Sequence, residues 1–273
     1  MVDRPSLKDI AESSVINIKL LSDEAALGTR PASQMERVLF YLCQWHRIGA
    51  IARLLCYTDV KAFHEHLARS GEARRRMLRL RASQDLPFGR FSGTAQYAAV
   101  CDALAAGADE VACEIAQLSC KSLLEAEELE EDFHYGRFIH WLVEGPGAPE
   151  SEAARILEEF GRLVGGDVPA QLSICEALLA RDQRGFDVSL HTLIEERAAY
   201  FHAKARALSA KDEAYETNRF VFVEGLALVR MAERRGLSTA PEYKYIPGLA
   251  RMRVAGMPRV QARPPRARPA RTR

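Results

Sequence analysis

His64, Glu65 and His66 form the tightest group of metal-capable side chains in the chain. On a helix, an i, i+2 pair points in directions about 200° apart, so the two imidazoles cannot share one ion, and the group reads as a solvated helix face. His134 and His140 are six residues apart with Trp141 adjacent, and Cys113 and Cys120 lie two turns apart on one face. A metal or a Cys–His nucleophile can be drawn from them, but a histidine beside an apolar stripe more commonly sits hydrogen-bonded in a core. The spacings that phosphate binding, acyl transfer and zinc hydrolysis demand (GxGxxG, a Walker loop, GxSxG, HExxH) do not occur. The expectation is a protein that is not an enzyme, with no catalytic residue, no metal and no cofactor.

Charged residues inside apolar stretches are more informative, because a charge taken out of water must be paired. Arg181-Asp182, Glu195-Glu196-Arg197 and Glu224 within Phe222-Val223-Glu224-Gly225-Leu226 are such cases. Glu224 is expected to meet Arg197 or Arg219 and so lock the last helix onto those before it. Glu125, Glu127, Glu128, Glu130, Glu131 and Asp132 place six acids in eight positions. They wrap too far round a helix for local neutralisation and form either a solubilising turn or a surface for a basic protein. A basic counterpart spans Arg69 to Arg81 with Arg74, Arg75, Arg76 and Arg79, and is a candidate to pair with them.

The elements that carry these residues are helical, since apolar positions recur three and four apart and almost nowhere alternate. Ser6 and Asp9 have capping-box spacing for a first helix ending at Gly28-Thr29-Arg30-Pro31. Ser33 and Glu36 repeat that spacing ahead of a stripe of Val38, Leu42, Trp45, Ile48 and Leu55. A third helix runs from about Asp59 to Arg81 through Val60, Phe63, Leu67, Met77 and Leu80, with Gly71 as a weak point, and residues 83–93 read as a loop. Three phrases then align, 101–107, 140–145 and 175–182. Their leucines Leu104, Leu142 and Leu178 fall 38 and 36 residues apart, each ahead of a second helix starting near Asp109, Ser151 and Gln183. This predicts an all-α chain in which an N-terminal helical bundle (residues 1–92) packs on a tetratricopeptide-like array of αα-hairpins. The hairpins, a closing helix from Glu213 to Arg235 and a docked extended segment from Pro241 to Leu249 occupy residues 93–251. The closing helix is expected to turn Phe220, Val223, Ala227 and Arg230-Met231 inward. Residues 252–273 are an Arg/Pro-rich tail, expected from composition to be disordered and dispensable.

The formal charge of +1 conceals an asymmetry. Nine bases and no acid follow residue 243, leaving 29 bases against 37 acids in the rest of the chain, a body about eight charges negative. Such a body suits a basic partner and disfavours nucleic acid, except weakly through the tail. The six cysteines form no CxxC and read as reduced core residues. No apolar run is long enough to span a bilayer, and the N-terminus lacks a signal-peptide layout. The reading is a cytoplasmic protein with no membrane partner.

Residues 218–237 (NRFVFVEGLALVRMAERRGL), followed by Pro241-Glu242-Tyr243 and Ile246-Pro247, together with residues 137–145 (RFIHWLVEG) and 177–182 (ALLARD), resemble the Immunity protein 49 family of bacterial polymorphic toxin systems. The resemblance spans roughly residues 35–251 and excludes the tail. It implies an all-helical immunity protein that protects its producer by binding a cognate toxin stoichiometrically. The motif positions His140, Trp141, Arg181, Asp182, Arg219, Glu224 and Gly225 then report the fold, and toxin specificity falls to exposed faces, with the acidic run 125–132 as candidate contact. The competing reading of the same features is a tetratricopeptide-like adaptor that holds a different protein partner.

Overall fold

Ser6 Oγ accepts from the Asp9 N–H (3.2 Å) and Asp9 accepts from the Ser6 N–H (3.1 Å), a reciprocal box that starts α1 (Leu7–Leu27). Gly28, at φ 63°, ends it. A computed structural model describes residues 4–28, 30–144, 148–165, 168–205 and 212–252. Of the expected tail, Met252 is described and residues 253–273 lie outside these. Helix makes up 74% of the described residues, and among them the one extended pairing is an isolated Tyr243–Ile246 bridge, so the fold is all-α.

The second capping box does not form. α2 (Ala32–Tyr57) begins behind Pro31 with no side-chain cap, because Glu36 is turned inward to bind Arg81 of α3 (Val60–Ser83). A buried guanidinium needs that carboxylate more than an exposed helix end does. Val38, Leu42 and Ile48 are buried as expected, whereas in the last turn Leu54 faces the core and Leu55 is exposed. α3 starts at the N-cap Asp59, whose side chain accepts from the Ala62 N–H (2.9 Å). Gly71 is no weak point. A Cβ there would stand 2.7 Å from the Ala103 Cβ, so glycine lets α3 press on α4 (Ala98–Ala106).

Three helix pairs follow: α4 with α5 (Asp109–Leu118), α6 (Glu130–Glu144) with α7 (Glu150–Val164), and α8 (Ala170–Ala180) with α9 (Gln183–Lys204). Successive pairs touch through α5–α6 and α7–α8. The first helices of the outer pairs end on left-handed residues, Gly107 (φ 77°) and Arg181 (φ 56°).

The long closing helix is broken into α10 (Glu213–Asn218) and α11 (Val223–Arg234). Arg197 of α9 donates to the Asn218 and Val221 carbonyls, and the Phe222 N–H donates to the Tyr245 carbonyl (2.7 Å), so tertiary partners satisfy the break. Phe220 is consequently exposed, while Val223, Ala227 and Met231 are buried. The segment after Gly236 docks, as expected, through fully buried Ile246 and Ala250, but it is not extended throughout, forming a tight turn at Tyr245 (φ 64°) and a single helical turn, α12 (Gly248–Arg251). One core cluster joins Ile51, Phe63 and Leu67 to Phe138, Leu178, Phe186 and Val229, running from α2 and α3 through all three hairpins to α11.

Candidate functional site

Two groups of polar residues stand out, one interior and one at the surface. In the interior, Glu224 occupies the first turn of α11 and accepts a hydrogen bond from the Tyr135 hydroxyl of α6 (2.7 Å). Burial pushes its carboxyl up, against the pull of Tyr135 and of the Arg197 and Arg47 guanidiniums. Arg197 lies over the rings of Phe201 and Phe222 (4.6 Å each) and gives its hydrogen bonds to carbonyls, so it acts on Glu224 only through space and the expected ion pair does not form. Arg219 pairs instead with Glu216 (2.6 Å) and stacks on Phe220. Gly225 is required by close approach, since a Cβ would overlap the Phe222 ring and Ile246.

Nearby, Arg47 Nε donates to Asp102 (2.7 Å), and Ser70 Oγ donates to the other carboxylate oxygen (2.6 Å). Sequence reasoning overlooked this buried pair. Its signal was present in Asp102, a lone acid in the apolar run Ala98–Ala106.

The remaining motif residues are also built into joints. His140 is 1% exposed, and burial holds its pKa well below the usual range. Trp141 Nε1 donates to the Pro149 carbonyl (3.1 Å) and lies under Arg235, which donates to the Leu178 and Leu179 carbonyls at the end of α8. Asp182 is the N-cap of α9, accepting from the Arg184 N–H (3.1 Å), directly after Arg181 has closed α8.

Residues 64–66 depart from the solvated-face expectation. His64 is fully buried, its Nε2 3.0 Å from the Met252 carbonyl, and His66 Nδ1 lies 3.0 Å from His46 Nδ1 of α2. Glu65 is exposed, near Lys61, and His66 is partly covered. α3 is flanked by α2 on one side and by α4 and α12 on others, so more of its circumference is covered than periodicity implies. Among the described residues no three His, Cys, Asp or Glu side chains are grouped to hold a metal ion.

At the surface, the acidic run is split between a turn and a helix start. Glu125 and Glu127 are exposed in the turn, and Glu130 and Glu131 are exposed in the first turn of α6, where acids complement the helix dipole. Glu128 is committed to structure: it accepts from the Ala95 N–H (2.6 Å) and the Leu124 N–H (3.1 Å). Asp132 is half-buried, its carboxyl pushed up by burial and by Glu131. The basic run does not pair with these acids. Arg75 and Arg79 bind Glu114, Arg81 binds Glu36, and Arg74 is buried against the Phe91, Ser92 and Gly93 carbonyls.

Beside Glu130 a cleft of about 470 Å³ opens between α6 and α7. Leu123, Phe133 and Leu163 give it apolar walls, and Glu130, His134, Glu159 and Arg162 give it polar ones. Burial lowers the His134 pKa against the opposing pull of Glu159 and Glu130 and so favours the neutral imidazole. Glu159, from α7, was not among the sequence candidates, because nothing in the chain pairs it with residue 134 until the hairpin closes.

No helix among the described residues is long and apolar enough to cross a membrane. Neither a curated protein nor a solved structure matches the chain. A family model described as Immunity protein 49 does match, over residues 56–249, from the end of α2 into α12. That span covers well over half of the sequence and contains every quoted motif, and the chain therefore belongs to the Immunity protein 49 family.

Proposed function

We propose that this protein binds a cognate bacterial toxin stoichiometrically and neutralises it, without catalysing a reaction, using the acidic edge formed by Glu125, Glu127, Glu130 and Glu131. Family membership is the observation that carries the reading. The edge supports it: these four acids are exposed, and the basic run of the same chain is occupied elsewhere. A basic toxin is the partner such a surface attracts. The tetratricopeptide-like hairpins serve as scaffold, and the producer's cytoplasm is the compartment in which such protection operates.

Co-expression with the toxin gene adjacent to this one tests the reading. Restored growth and a 1:1 complex on size-exclusion chromatography are expected. A toxin that stays lethal and unbound refutes it, and recovery of resident machinery in its place identifies an adaptor.

A further inference from the structure

Glu130, His134 and Glu159 meet in a way that the interior of the protein does not complete. His134 is 7% exposed, and its Nδ1 has no hydrogen-bond partner. Nε2 lies 3.9 Å from Glu130 Oε1, and Nδ1 lies 4.0 Å from Glu159 Oε2, both too far for a hydrogen bond. A neutral imidazole carries one N–H. Nδ1 is sealed from solvent, so with the proton on Nδ1, toward Glu159, the bare Nε2 faces the half-exposed Glu130 Oε1 at 3.9 Å, acceptor against acceptor. A nitrogen with two N–H groups placed between them completes both bonds, since two hydrogen bonds of about 2.8 Å meeting at about 90° span that gap.

We infer that this cleft receives a cationic side chain, arginine or lysine, from a basic segment of the toxin. The inference rests on the proposed toxin-binding function and gives it a location. The ammonium or guanidinium is held by a carboxylate and the bare ring nitrogen, and the methylene stem packs on Leu123, Phe133 and Leu163. The cation that lines the cleft, Arg162, pairs with Glu158 (2.5 Å), and Arg155, whose charge reaches His134, pairs with Glu159 Oε1 (2.8 Å). Glu159 Oε2 remains directed at His134, and exposed Glu125, Glu127 and Glu131 flank the approach in sequence.

The test uses the full chain with nitrogen-15 histidine and acetyl-triarginine amide as probe. Saturable shifts of the His134 ring resonances are expected, with affinity about tenfold weaker in the Glu130→Gln/Glu159→Gln double variant, roughly the loss of one charge-assisted bond. Because Glu159 is partly covered, Glu130→Gln alone serves as a second variant on a carboxylate that is half exposed. A His134 signal that ignores the peptide, or an affinity unchanged by either variant, overturns the inference. Binding of the toxin is measured in parallel. Toxin bound equally by the wild type and both variants leaves the immunity function standing and removes the cleft from it. A shifted His134 with no toxin bound at all retains the cation site and rejects the toxin as its source.

Discussion

Replacing Arg74 with Met removes the most heavily used charge in the interior. Arg74 is 2% exposed, and its guanidinium donates to the carbonyls of Phe91 (2.5 Å), Ser92 (2.9 Å) and Gly93 (2.7 Å). Burial lowers its pKa to about 10, so it is charged at pH 7. Each hydrogen bond to a charged donor contributes about 1.5–3 kcal/mol, for a gross of roughly 4.5–9 kcal/mol across three. Methionine keeps most of the volume and releases a cation whose burial costs several kcal/mol, which offsets part of that loss. The expected net is about 3–4 kcal/mol, a large share of the roughly 5–15 kcal/mol that holds a domain folded. Urea unfolding followed by circular dichroism reads it as a lower midpoint at unchanged slope. Amide exchange should quicken selectively in the loop that Arg74 clamps. Lys61→Met, at an exposed i, i+4 pair, is the control and should change stability by under about 0.5 kcal/mol. A loss below about 1 kcal/mol for Arg74→Met, with loop protection intact, would refute the assignment of the clamp.

Gly71→Ala should destabilise by about 1–2 kcal/mol in thermal melts although alanine favours helix, because its methyl meets Ala103 and Val111; a gain in stability would show that α3 and α4 are not in close contact. Acid should weaken the fold through His46 and His64, whose pKa values burial lowers to about 3 and about 4. Between about pH 6.5 and those values the unfolded chain takes up protons that the folded chain refuses, so stability falls as pH falls, by up to about 1.4 kcal/mol per pH unit per histidine. Asp102 and Glu224, raised by burial, act in the opposite sense at the acidic end, so the measurement is the urea midpoint from pH 7 to 5 with and without His64→Gln, which should flatten the slope. Arg181→Gly should stabilise by about 0.5–1 kcal/mol in urea, since only glycine adopts φ 56° without strain; a loss would mean that its ion pair with Glu150, at 3.9 Å, outweighs backbone relief.

How much of this is legible in sequence depends on the range of the interaction. The α1 box, the Gly28 stop, the Asp59 cap and the hairpin corners at Gly107 and Arg181-Asp182 are set by residues within a few positions of one another, and periodicity locates them. The phrases 101–107, 140–145 and 175–182 mark helix pairs for the same reason. Glu36 and the 213–235 helix went otherwise because a distant partner offered more than the local one: Arg81 in the first case, Arg197 and Tyr245 in the second.

The candidate site divides along the same line. Sequence alone establishes helical class, an acid-rich stretch at 125–132 and the family motifs, since composition and short spacing carry all three. Tertiary structure decides which acids are available, tying Glu128 to the Ala95 and Leu124 amides and half-burying Asp132. It also decides that Arg74, read in sequence as part of a basic run able to pair with the acids, is a buried clamp, and that His134 faces a glutamate from the next helix. Burial and pairing are properties of the packed chain, and a charge looks the same in the sequence whether water or three carbonyl oxygens surround it.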